Sequence, residues 1–171
     1  GRVRAKSIEA LEPIAEKVIR CYRAGALAVG ASVEVQSIAG YHGLVQDPTM
    51  QKLFIENAKL VLGRDSISVV GASQTHGGST DMGDLSKIMP VIHPYANSAS
   101  GVGHGHDYLI EDYEIAVVAP AKVMTATVLD LLGNDAQVAR ELLAKSNPAM
   151  TAEQYISVQR SRFKTELFEP S

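Results

Sequence analysis

Cysteine is almost missing from this chain: Cys21 stands alone among 171 residues. No internal disulfide can form, and no charged, apolar, small-residue leader is visible, so a reducing cytoplasm is the expected location. Basic charge is not in excess either. Sixteen Lys and Arg against 19 Asp and Glu leave a formal net charge of -3, and the scattered cations form no stripe of the kind that phosphate-backbone binding requires. Nucleic acid is therefore not an expected partner. Long hydrophobic runs are lacking as well. Those from Val117 to Pro120 and from Thr127 to Leu132 fall short of the ~18 to 20 residues that span a bilayer, so no membrane partner is expected. There is no serine in a nucleophile elbow, no Walker loop, no dinucleotide fingerprint and no fixed-period repeat. What is present, 46% hydrophobic and 20% charged residues, fits a globular chain able to bury a core.

The hydrophobic pattern predicts α/β organisation. Arg2 to Lys6 alternates short apolar and basic residues and leads into Ser7, a cap for a helix whose apolar positions Leu11, Ile14, Ala15, Val18, Ile19 and Tyr22 recur at three and four. Gly30 should end it. Ser32 to Ile38 then alternates as a half-buried strand. Strand, helix and strand make half of a split β-α-β unit, which leaves an open sheet edge, so the chain is expected to start with a cut through a domain. Asp47-Pro48 opens a second helix, which sets a domain boundary near Gln46. Strands are predicted at Ser66 to Val70 and Met89 to Ile92, separated by the glycine-rich loop Gly71 to Gly83. A long helix is expected from Asp112 to Leu132, with Ile115, Val118, Val123, Thr127 and Leu131 inward, a kink at Pro120 and a stop at Gly133. Two more helices follow, Asp135 to Lys145 and Thr151 to Leu167, the latter opened by the capping box Thr151 to Gln154.

Two stretches carry residues suited to chemistry. His104-Gly-His106 lies in a glycine-rich loop before Asp107 and Tyr108; in extended backbone both imidazoles would point to one side and could approach one metal. Two donors do not complete a zinc site, and a pair of surface histidines in a turn fits the same pattern. Asp81 and Asp84 stand three apart in a loop that permits close backbone approach. Such a loop can orient a metal-bound histidine, or Asp81 or Asp84 can simply cap the next short helix. His42 and His93 read as structural, and His76 borders the acidic loop. Cys21 lies on the apolar side of the first helix, where a free thiol packs as a small hydrophobe.

Three motifs resemble one family. Gly-Ser-Thr-Asp-Met-Gly-Asp-Leu-Ser at 78–86, Gly-His-Gly-His-Asp-Tyr-Leu-Ile-Glu-Asp at 103–112 and Ala-Lys-Val-Met-Thr-Ala-Thr-Val-Leu-Asp-Leu-Leu at 121–132 are similar to the closing segments of the two-metal, zinc-dependent aminoacylase and carboxypeptidase family. The nearest branch is the aminobenzoyl-glutamate hydrolase and indole-acetyl-amino-acid hydrolase group. Val3 to Leu11 and Gly40-Tyr41 resemble the end of that family's inserted lid. The resemblance implies the C-terminal part of a zinc-peptidase-like catalytic domain plus half of a ferredoxin-like lid, which forms the dimer. The implied domains are lid at 1–46, catalytic part at 47–145 and a C-terminal helical extension at 146–171.

On this resemblance the family's last metal ligand falls on His104, with Tyr108 at its aromatic position and Glu111-Asp112 at its acidic ones. Asp81, Asp84 and His106 are left as residues of the site loop or behind the ligand. The other ligands and the general-base glutamate are expected upstream of Gly1, so no catalytic residue is expected here. The intact protein is expected to be a metal-dependent amidohydrolase holding two zinc or manganese ions, cleaving an amide bond to an amino acid in a small molecule and working as a homodimer. The isolated chain is expected to be inactive and to bind no metal. Two rivals remain: a non-catalytic dimerisation module pairing through Arg2 to Ile38, and a self-contained metal site of His104, His106, Asp81 and Asp84.

Overall fold

A computed structural model describes residues 1–63, 67–70 and 79–170. They fall into two compact units. The first comprises Gly1–Val45, Ser79–Ile88 and Pro148–Ser171, and the second Gln46–Gly78 and Met89–Asn147.

In the first unit, α1 (Ile8–Ala28) starts where Ser7 Oγ accepts from Ala10 N at 3.3 Å and closes with Gly30 in the left-handed region, φ 67°. Both ends follow the expected cap chemistry. β1 (Val33–Ser37) alternates as predicted, with Val33 and Val35 half-buried and Glu34 and Gln36 exposed. Its partner is the unexpected element. The last helix, α5 (Ala152–Ser161), has the expected capping box but stops well before Leu167, and β4 (Lys164–Phe168) pairs antiparallel with β1, Val33 opposite Phe168 and Ser37 opposite Lys164. Lys-Thr-Glu-Leu-Phe carries a threonine, a leucine and an aromatic at positions that a helix tolerates. What turns it into a strand is the row of backbone donors and acceptors that β1 offers. Arg2 to Lys6 is not a strand and runs as irregular backbone. The Arg23 guanidinium lies 4.0 Å from the centre of the Phe168 ring, tying α1 to β4.

In the second unit, α2 (Pro48–Leu62) begins as expected, with Asp47 Oδ1 accepting from Thr49 N at 2.9 Å and Met50 N at 2.8 Å. It packs on α4 (Ala119–Lys145). Val123, the largest fully buried side chain among the described residues, lies on this contact-making helix with Ala119 and Thr127 beside it in the four-residue repeat. The buried Asn57 amide donates to Asp130 Oδ2 at 2.7 Å and joins the two helices.

The helix start at 112 is as read, since Asp112 Oδ1 accepts from Ile115 N at 3.1 Å. The next residues, Glu114–Val118, form a π-helical turn rather than α-helix. That wider turn shifts Ile115 and Val118 off the Val123 and Thr127 stripe, and both are exposed instead of inward. Pro120 directly follows this turn, as the second residue of α4, so the break in regular α-helix falls just before it. Gly133 ends regular helix as expected, and Asn134, Asp135 and Ala136 adopt positive φ before helical backbone resumes to Lys145.

No strand forms at residues 67–70 or 89–92; Ser66 lies outside the described residues. Val91 is nonetheless buried, and its carbonyl accepts from Asp47 N at 2.8 Å. The two remaining strands are short: β2 (Ala99–Ser100) and β3 (Leu109–Ile110) pair antiparallel. Glu114–Lys145 contains an 18-residue stretch of mean hydropathy 1.7, long and apolar enough to cross a bilayer by length and composition. The short apolar runs of the sequence conceal this, because the alanines between them are themselves apolar and the threonines subtract little from the average.

Candidate functional site

The loop that carries His104 is built by its glycines and one aspartate. The β2–β3 ladder closes residues 101–108, and Glu111 N donates to Ser98 O at 2.8 Å just outside it. Gly101 has φ 80°, and a Cβ there would lie 2.2 Å from Asp107 O. A Cβ on Gly105 would lie 2.4 Å from Asp107 Oδ1. Only glycine allows these close approaches. Gly105 N donates to Val102 O at 2.6 Å and Tyr108 N to Gly105 O at 3.3 Å, so the loop is coiled on itself. Between them His104 holds φ 65°, an uncommon backbone state for a residue with a side chain. Such strain persists where surrounding structure imposes it, and it concentrates at functional positions. His104 and His106 are both exposed. The extended backbone that would align the two imidazoles is absent, since His104 is left-handed. The tight closure of this loop was not anticipated: Ala99-Ser100 and Leu109-Ile110 are too short to stand out as strands.

The acidic loop belongs to the first unit. Asp81 precedes the short α3 (Met82–Leu85) but makes no capping bond; Thr80 Oγ1 takes that place, accepting from Met82 N at 3.4 Å. Asp84 does not cap either. Its Oδ1 accepts from His42 N at 2.7 Å, while Ser86 Oγ accepts from Val45 N at 3.2 Å and donates to Gly83 O at 2.7 Å. Residues 79–86 are thereby fastened to the 42–45 backbone. A Cβ on Gly83 would lie 1.9 Å from His42 O, so the approach requires glycine. His76 and the start of this loop lie outside the described residues.

His42 is 5% exposed, its ring 5.9 Å from that of Tyr155, and its Nε2 has no hydrogen-bond partner among the described residues. Burial holds its pKa below the ordinary imidazole value, the Asp84 charge opposes this, and Arg162 and Lys87 add to it. A structural role fits these contacts. His93 donates its backbone N–H to Gln46 Oε1 at 3.0 Å and meets Tyr95 edge-on at 4.9 Å.

Among the described residues no three His, Cys, Asp or Glu side chains are grouped to hold a metal ion. These residues do not by themselves fit a metal ion, since a lone imidazole leaves most of the coordination sphere to water.

The fold defines an α/β chain whose second unit presents one strained histidine in a glycine-closed loop and whose first unit carries the acidic loop. Its relatives give that class a direction. The chain is 31% identical over 135 residues to Xaa-Arg dipeptidase of Mus musculus, a match covering 75% of this chain and 31% of the relative. Xaa-Arg dipeptidase of Homo sapiens matches with the same identity and coverage. The chain thus spans about a third of the length of the curated relatives it matches. This similarity supports a relationship to a metallopeptidase family, without extending to the aminobenzoyl-glutamate hydrolase branch. No family model and no solved structure matches the chain.

Proposed function

We propose that this chain is part of a metal-dependent amidohydrolase or peptidase that cleaves an amide bond to an amino acid, and that His104 supplies one metal ligand. The observation that carries the reading is the likeness to Xaa-Arg dipeptidase over 135 residues, and the strained, glycine-fixed backbone of His104 agrees with it. Dipeptides ending in arginine and N-acyl amino acids are the substrates to try first. The remaining donors and the general base belong to polypeptide outside this chain. Zinc and manganese are the candidate metals.

The test uses an intact enzyme containing this chain. His104→Ala should remove metal from one position and lower turnover by about two orders of magnitude or more, whereas His106→Ala should change it by less than about threefold. Metal analysis and amide hydrolysis on both variants decide the matter. Loss of activity in His106→Ala alone would reverse the assignment within the triplet.

The same reading includes a homodimer. The β1–β4 ladder has two strands among the described residues, and an unpaired edge is a template for another chain. Light scattering should show concentration-dependent association, and a monomer at high concentration would remove this part of the proposal.

A further inference from the structure

The loop over the β2–β3 ladder is made of successive turns. Gly105 N donates to Val102 O, which makes Val102-Gly103-His104-Gly105 a β-turn with His104 third in it at φ 65°, and Tyr108 N to Gly105 O closes the next turn. A positive φ in third place belongs to turn types that favour glycine or asparagine. Glycine stands on either side, yet the place itself is held by an exposed histidine. An L side chain does not choose this backbone unaided. What keeps His104 there must come from the rest of the loop.

The ends of the loop are fixed by the ladder. Ala99 pairs with Ile110 and Ser100 with Leu109, and Ser100 Oγ donates to Glu111 Oε1 at 2.5 Å. Within this frame Asp107 meets the His104 turn at both ends. Its carbonyl oxygen lies against Gly101, where a Cβ would come within 2.2 Å, and its Oδ1 against Gly105, where a Cβ would come within 2.4 Å. The same Oδ1 accepts from Val102 N, the residue that opens the turn, at 3.5 Å. That bond is long, so the seating on the two glycines counts for more.

We infer that Asp107 is a positioning residue: its carboxylate, seated between Val102 N and Gly105, holds the turn closed and keeps His104 left-handed, so that the Cα–Cβ bond of His104 is aimed in one direction before anything binds the imidazole. For its consequence on turnover the inference rests on His104 being a ligand of the proposed amidohydrolase. For the order of the loop it does not.

The experiment compares two substitutions. Asp107→Asn keeps the acceptor and the shape and drops the charge, whereas Asp107→Ala removes all three. In this chain the amide order parameters of His104 and Gly105, from nitrogen-15 relaxation, should be about 0.85 in the parent and in Asp107→Asn and fall below about 0.6 in Asp107→Ala. Asp107 is exposed, so circular dichroism should be unchanged. In the intact enzyme containing this chain, Asp107→Ala should lower kcat about tenfold with KM changed less than about twofold, and Asp107→Asn should stay within about threefold of the parent. Competition with a chromophoric chelator should show zinc held about tenfold more weakly at one position in Asp107→Ala.

Three results would overturn the inference: a loop as ordered in Asp107→Ala as in the parent, Asp107→Asn behaving like Asp107→Ala, or a loop that loses order while kcat and zinc retention stay at parental values. The middle result with the loop still ordered would make Asp107 a ligand itself. Should His104→Ala leave turnover intact, the ligand reading of His104 falls on its own, and the order parameters decide the role of Asp107.

Discussion

The two units are held together by different physics. In the first, segments far apart in sequence are tied by polar contacts: Asp84 to His42 N, Ser86 to Val45 N, Gln159 Nε2 to Gly40 O, Met150 N to Lys87 O, and the β1–β4 ladder. In the second, beside polar ties such as Asp47 N to Val91 O and His93 N to Gln46 Oε1, two helices meet through an apolar stripe centred on Val123, with a buried polar link between Asn57 and Asp130. Directional bonds fail abruptly when geometry is disturbed, while apolar packing loses stability in proportion to what is removed. Mutations in the two units should therefore differ in kind as well as in size.

The largest effect should come from Gly83→Ala. The added methyl has no room beside His42 O, and the backbone carbonyl it meets cannot swing away like a side-chain tip. Separating the acidic loop from the 42–45 segment would break the Asp84 and Ser86 bonds together, costing on the order of 3 kcal/mol or more. Urea unfolding of the first unit reads this directly. Val123→Ala should cost less, about 2 kcal/mol from lost burial and the cavity left behind. Its effect should appear in hydrogen exchange of α2 and α4. If Gly83→Ala proved milder than Val123→Ala, the contrast between the units would be wrong.

The same contrast explains what was legible in the sequence. Helix starts were, because Ser7, Asp47, Asp112 and Thr151 act through bonds to neighbours three residues away or fewer. The alternation of β1 was legible too. Its partner was not, since nothing local in Lys164 to Phe168 distinguishes a strand from the last turns of a helix. Met89 to Ile92 misled for the opposite reason: Val91 is buried like a strand residue, but its backbone bonds to Asp47 and enters no ladder. At the candidate site the sequence singled out His104 and the glycines around it, yet the left-handed backbone depends on the close approach of Asp107 to Gly101 and Gly105. His42 and Ser86 escaped notice as partners of the acidic loop because they meet it only in the folded chain.

The smallest effect expected is a pH dependence confined to the first unit. His42 is buried with Nε2 unpartnered, and burial lowers its pKa, with Asp84 opposing and Arg162 and Lys87 reinforcing. A lowered imidazole pKa means that the folded state takes up a proton less readily than the unfolded chain, whose value is about 6.5. Below about pH 6.5 the unfolded state therefore binds more protons, and stability falls with acidification until the folded state is protonated as well. Carboxylates titrate lower, so the window between pH 7.5 and 5.5 belongs chiefly to histidine. Hydrogen exchange of α5 and of the β1–β4 ladder, compared at these two pH values, should show weaker protection at the lower one. His42→Phe keeps a ring beside Tyr155 without a titrating nitrogen and should flatten the difference. Should the variant lose as much protection on acidification as the parent, His42 is not the group responsible, and the polar ties of the first unit would have to be tested at Asp84 instead.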